Sequence, residues 1–316
     1  MSTDLTPIYA AGDLILRSVE SARWLASPTR QGHVDYSLVF EVPSCPHISV
    51  SYGHIAELDP ALEAELPGAT CGVYSTESET LEACGNRVDI PVPAGTVLGQ
   101  AGGTITGLDF DLFDDRVTFE FVAVHRYPQA RRAICPQPLF VPALRDFLLD
   151  LTGLGEVRRT AEPRCGEMEI DVAGTAQGMW VQEGHDVTHN NTTFDRFFAL
   201  APHDIQPERF HVIVTAHPAF ELEPWGYMIY VFDIQDEGRV NRPFADVPGD
   251  GTLFCYVPVD APSEIIPVPT VSFLLALGED HRITIERRDH AIGESPCLVE
   301  EPEAWAFSGA QLRLMR

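Results

Sequence analysis

The stretch from Tyr36 to His54 constrains this chain more than any other. Tyr36-Ser-Leu-Val-Phe-Glu-Val42 alternates apolar and polar residues, Ser44-Cys45-Pro46 supplies a turn, and His47-Ile-Ser-Val-Ser-Tyr-Gly-His54 returns as a hairpin partner. Period-two alternation puts successive side chains on opposite faces, so such a hairpin buries one face and leaves the other to solvent. The same pattern recurs in short runs: Ile8 to Leu16 reads as strand, turn, strand, and further β pieces fall near 87–92, 96–101, 107–113 and Val117 to Val124. Beyond residue 160 come Met168–Val172, Met179–Gln182, Phe210–Thr215, Tyr227–Asp233, Gly251–Val257, Val271–Ala276, Arg282–Arg287, and Ala304–Phe307 with Leu312–Leu314. Runs of this length and spacing point to a β-sandwich.

Helices are few. Residues 55–66 fit one short helix with Asp59 as cap and Pro60 at its first position. A longer one follows Pro142, where Leu144, Phe147, Leu148 and Leu151 share a face before Gly153 stops it. The expected fold is therefore mainly β: a lipoyl-like or endopeptidase-like barrel over residues 1–132, a helical connector over 133–160, and a β-sandwich over 161–316. A length of 316 residues agrees with two cores rather than one.

Charge excludes several functions. All 21 basic residues are Arg, against 47 acidic ones, for a net charge of −26. Without lysine there is no Schiff base, no pyridoxal-phosphate anchor and no phosphate-loop lysine. Such acidity repels nucleic-acid backbones and anionic membrane surfaces, so no nucleic-acid partner is expected. No run approaches the roughly 18 apolar residues of a membrane span.

The seven cysteines contain no Cys-x-x-Cys pair, which argues against a structural zinc knot and favours disulfides. Cys71 and Cys84 bracket a polar segment that a bridge would help to order. Cys135–Cys165 and Cys255–Cys297 are the other expected pairs, leaving Cys45 free. Disulfides imply a periplasmic or secreted protein. The first residues carry no basic and apolar leader, so either an export signal has been removed or the cysteines stay reduced.

Three consecutive segments carry a resemblance. Ser51-Tyr52-Gly53-His54-Ile55 looks like the Tyr-x-His-Leu strand of lysostaphin-type zinc endopeptidases. Val92-Pro-Ala-Gly-Thr-Val-Leu-Gly-Gln-Ala-Gly102 is similar to their Val-x-x-Gly-x-x-Ile-Gly-x-x-Gly turn. Gly107-Leu108-Asp109-Phe110-Asp111-Leu112 falls where they have His-x-His-Phe-Glu. With Tyr9-Ala-Ala-Gly-Asp13 resembling the segment that opens the barrel, the match spans roughly residues 8–125 and implies that family's barrel. The resemblance also implies a degenerate metal site. Only His54 matches a functional position intact; Gly107 stands in place of a catalytic His and Asp109 in place of a zinc-binding His. The sequence begins at about the point where the His-x-x-x-Asp motif should already have passed, so the resemblance implies that a three-ligand zinc site cannot be built from the residues that remain.

A rebuilt site is the alternative. Strand parity places Asp109 and Asp111 on one face and Leu108, Phe110 and Leu112 on the other. The hairpin sets His54 opposite about Tyr36, which brings Asp35 and His33 to the same end. From this come His54 and Asp111 as candidate catalytic groups, and Asp109, Asp35 and His33 as candidate ligands for a divalent metal, Zn or Ca. The plain alternative is that the carboxylates are solvated and His54 is structural.

His185-Asp-Val-Thr-His189 has metal-ligand spacing but is flanked by turn formers and reads as a loop. Pro46 separates Cys45 from His47 in a turn where their side chains diverge. Trp180, Trp225 and Trp305 read as core anchors rather than a carbohydrate-stacking face. The leading functional expectation is a non-catalytic or accessory extracytoplasmic protein that binds a small molecule, an envelope glycan, a peptide or an ion. The competing one is a hydrolase of esters, phosphoesters or amides built around His54, Asp109 and Asp111.

Overall fold

The computed structural model describes residues 5–27, 30–75, 79–102, 107–120, 130–185, 197–220, 228–259 and 270–316. The chain is mainly β and divides into two compact units. The first comprises residues 1–118 and 129–136, the second 119–128 and 137–316. Among the described residues, no helix is long and apolar enough to cross a membrane.

Among the described residues, the first unit is a nine-stranded antiparallel sheet. Its strands are β1 (Thr6–Tyr9), β2 (Leu14–Ala26), β3 (Val34–Val42), β4 (Cys45–Leu58), β5 (Thr70–Ser75), β6 (Thr80–Val92), β7 (Val97–Ala101), β8 (Asp109–Asp114) and β9 (Ala133–Ile134). The order runs β1-β7-β4-β3-β2-β6-β5, with β8 also on β4 and β9 on β8. The alternating β3 buries Leu38 and Phe40 beside Leu16, Val50, Leu98 and Leu112. The single helical turn α1 (Pro60–Ala64) is capped by Asp59, whose carboxylate accepts the Ala61 N–H at 2.9 Å.

The glycines of the turn before β7 have distinct physical reasons. Gly95 has φ +77°, a left-handed conformation that favours glycine. A Cβ on Gly99 would overlap the Glu57 carbonyl oxygen, because β7 pairs with β4 there beside an irregularity in register. Cys71 and Cys84 are directly opposed on β5 and β6 and are disulfide-bonded, with Cα atoms 4.0 Å apart.

The second unit opens on α2 (Pro142–Leu151) and the small hairpin β10 (Gly153–Leu154) and β11 (Val157–Arg158). An eight-stranded sheet follows: β12 (Gly178–Gln182), β13 (Phe197–Pro202), β14 (Phe210–Thr215), β15 (Met228–Asp233), β16 (Phe254–Tyr256), β17 (Val271–Leu277), β18 (Ile283–Asp289) and β19 (Leu312–Met315). The order β15-β14-β13-β12-β19-β18-β17-β16 makes β15 and β16 its two edges. The sheet curls until those edges face each other: Phe232 of β15 packs edge-on against Tyr256 of β16, with centroids 5.5 Å apart. Both belong to one core with Trp180, Phe198, Phe244 and Phe273. Cys255 is bonded to Cys297 in α3 (Pro296–Val299), as its pairing predicts, and Cys45 is free.

Some expected elements differ. Met168–Val172 forms no strand; there Asp171 accepts the Met179 N–H at 2.8 Å and Gln177 donates to the Ile170 carbonyl, so local turns use the backbone groups. Ala304–Phe307 forms no strand: Ala304 closes the helical turn Pro302–Ala304, and Trp305 turns inward to donate its indole N–H to the Pro296 carbonyl. Residues 117–120 are not a strand, and 121–124 lie outside the described residues, as do Trp225 and His189. Strand β13 went unread because its first residues follow a polar run. The helix after Pro142 forms as its periodicity requires, yet none of its residues is buried.

Candidate functional site

The local structure around His54 begins with β4, which changes partner along one edge. Ile48 to Gly53 pair with β8, whereas Ile55 to Leu58 pair with β7. His54 occupies the changeover. On the other edge Tyr36 faces Ile55 and Leu38 faces Tyr52, so Gly53 and His54 together oppose Ser37 in a β-bulge. Tyr36 is therefore opposite Ile55, one residue from the position that a regular hairpin gives. His54 takes φ 61°, a left-handed conformation that costs a non-glycine residue about 1 kcal/mol or more.

This distortion sets the imidazole between two carboxylates. His54 Nδ1 lies 2.9 Å from Asp35 Oδ2 on β3, and His54 Nε2 lies 3.3 Å from Asp109 Oδ2 at the start of β8. Asp35 is well covered, its side chain 14 % exposed, while Asp109 is 58 % exposed. Gly53 makes the approach possible: a Cβ there would sit 3.2 Å from the Asp109 Cβ. From the opposite face Tyr52 secures the strand. Its ring packs on Phe40 and Phe110, and its hydroxyl accepts the Ala11 N–H at 2.9 Å. Burial pushes the Tyr52 phenol up.

Strand parity holds along β8. Leu112 is buried and Phe110 packs on the core, while Asp109 and Asp111 are exposed on the other face. The Asp111 carboxyl is raised from its ordinary range, first by partial burial and then by the neighbouring Asp109 charge, with His54 opposing. Asp35, His54, Asp109 and Asp111 thus form one electrostatic group.

His33 does not join them by any contact. Its ring packs on Trp24 with centroids 5.9 Å apart, and its backbone N–H is donated to the Arg30 carbonyl in the turn before β3. Among the described residues, no group of three or more His, Cys, Asp or Glu side chains is arranged to hold a metal ion. Of the expected metal ligands, Asp35 and Asp109 lie at the two opposite nitrogens of the His54 ring, and His33 lies apart on Trp24.

Elsewhere, Trp180 and Trp305 are buried and donate their indole N–H groups to the Ala176 and Pro296 carbonyls at 2.8 and 3.2 Å. Sequence reasoning missed Gly53 and Tyr52 as the residues that shape the site. The Tyr-x-His spacing contained that signal, since alternation sends Tyr52 inward. No family model matches the chain, and no curated protein or solved structure matches it.

Proposed function

We propose that this chain is an extracytoplasmic, non-catalytic binding protein. In this reading its first unit is a lysostaphin-type barrel that has lost its metal site, and it holds an envelope glycan or peptide on the face bearing Asp35, His54 and Asp109. The observation that carries the reading is the placement of the His54 ring. Nδ1 is hydrogen-bonded to Asp35 at 2.9 Å and Nε2 faces Asp109 at 3.3 Å, so a metal ion or a substrate proton would have to displace Asp109 to reach the ring. Held this way, the ring fixes Asp35 and positions the exposed Asp109 to accept hydrogen bonds from a ligand. Export is supported by the disulfides Cys71–Cys84 and Cys255–Cys297.

A hydrolase is the second reading, and the raised Asp111 carboxyl beside an exposed Asp109 favours it. If Asp109 turned away, Nε2 would be freed while Asp35 still oriented Nδ1, which is the arrangement of a general base. Chromogenic esters, phosphoesters and amides, assayed with and without chelator, separate the two. The binding reading expects no turnover above the blank. Turnover that disappears in His54→Ala would replace it with the hydrolase.

A further inference from the structure

Four strands of the first unit, β3-β2-β6-β5, stay in regular register across their middles. Asp35, Ala22, Ala83 and Gly72 form one row, and Ser37, Glu20, Gly85 and Thr70 form the next. Both rows lie on the same face, because side chains alternate and the rows beside them, such as Val19 with Leu38, point into the core. Alanines and glycines in the middle leave the face hollow. The result is an open cleft of about 440 Å³ lined by Asp35, Glu20, Gly72 and Tyr74, continuous through Glu20, Thr70 and Gly85 with a second of about 590 Å³. Asp35, which holds His54, stands at one end. Tyr74 stands at the other, half exposed, its hydroxyl 3.4 Å from where a Gly72 Cβ would be. From β3 to β5 the hollow crosses three strand gaps, roughly 14 Å at the usual spacing.

We infer that this hollow is a carbohydrate groove for a neutral or amine-bearing oligosaccharide laid across the strands, from Asp35 toward Tyr74. The inference rests on the reading of the His54 face as a binding surface and names its ligand class. Three features select the class. In the first hollow the charged lining groups are the carboxylates of Glu20 and Asp35, which accept from hydroxyl or ammonium groups and repel anions, while Arg17 and Arg87 line the second. An exposed aromatic ring at the groove's end offers a face on which a sugar ring stacks. The rows run across the face of the sheet, perpendicular to its edge strand β5, so a ligand lying along them is held by side chains and not by strand pairing.

Calorimetric titration of the full chain with short soluble oligomers of N-acetylglucosamine, glucosamine and galacturonate tests it, with an oligolysine peptide as a fourth arm. The first two sugars are expected to bind and galacturonate is not. A Cβ on Gly85 meets nothing nearer than the Val19 carbonyl oxygen at 4.0 Å, so Gly85→Trp fills the groove without disturbing the sheet. It should weaken sugar binding at least about tenfold with the melting temperature unchanged. Tyr74→Ala and Glu20→Gln, both at exposed positions, should weaken it as well. No binding by either sugar, binding indifferent to all three variants, or preferential binding of oligolysine blocked by Gly85→Trp would each overturn the inference. Sugar binding lost in Asp109→Asn but kept in Gly85→Trp would overturn the groove and leave the His54 face standing. His54-dependent turnover would instead overturn the non-catalytic reading.

Discussion

Acid should weaken the second unit through His211. This residue is buried on β14, accepts the Phe244 N–H through Nδ1 at 3.3 Å, and packs its ring on Phe244. Burial lowers its pKa from 6.5 to about 4, against a smaller opposing pull from Asp246. The folded chain therefore binds this proton less readily than the unfolded chain. The stabilising contribution is complete above about pH 6.5 and is lost as the pH falls toward 4. A shift of that size corresponds to about 3 kcal/mol at its limit, with about 2 kcal/mol already lost by pH 5. His203 adds in the same direction: burial lowers its pKa too, while Asp204 and Glu208 oppose. Acidification also relieves part of the repulsion within a chain of net charge −26, a trend that a point variant shares with the wild type. Urea unfolding at pH 7 and pH 5, followed by tryptophan fluorescence, should be compared between wild type and His211→Asn. Asparagine offers an acceptor without a titrating ring, so the variant should lose about 2 kcal/mol less between the two pH values. Equal losses in both proteins would refute the reasoning.

His54→Gly should change stability by no more than about 1 kcal/mol in a denaturant titration, because relief at φ 61° offsets the lost contacts with Asp35 and Asp109. Gly99→Ala should destabilise the fold by about 2 kcal/mol or more, seen as a lowered melting temperature, since the new Cβ overlaps the Glu57 carbonyl. Opening Cys71–Cys84, which closes 13 residues, should cost about 3 kcal/mol, and opening Cys255–Cys297, which closes 42, about 4 kcal/mol; serine variants compared by thermal melting check both.

The sequence made local pattern legible and long-range pairing much less so. The Tyr36–Val42 alternation identified β3 and its buried face, and the parity of Asp109 and Asp111 followed from the same period. The bulge at His54 was not readable, because it arises where β4 passes from β8 to β7, partners brought together from distant parts of the chain. That one extra residue decides the site: it turns the imidazole toward Asp35 and Asp109. The hairpin pairing that brings Asp35 and His33 to one end does not fix side-chain contacts: Asp35 meets His54, whereas the His33 ring packs on Trp24. The hollow across β3, β2, β6 and β5 was hidden for a similar reason. Ala22, Ala83, Gly72 and Gly85 are ordinary small residues until the register aligns them in rows.

The central claim is that His54 is held between two carboxylates as part of a binding face and does not serve a metal or a reaction. Its imidazole nitrogens can be followed by long-range nitrogen–proton correlation spectroscopy while zinc is added to the full chain. The account predicts that the His54 signals stay in place through one equivalent of metal and move in Asp35→Asn without any metal. A stoichiometric shift of the His54 Nε2 signal on zinc addition, abolished by Asp109→Asn, would contradict it.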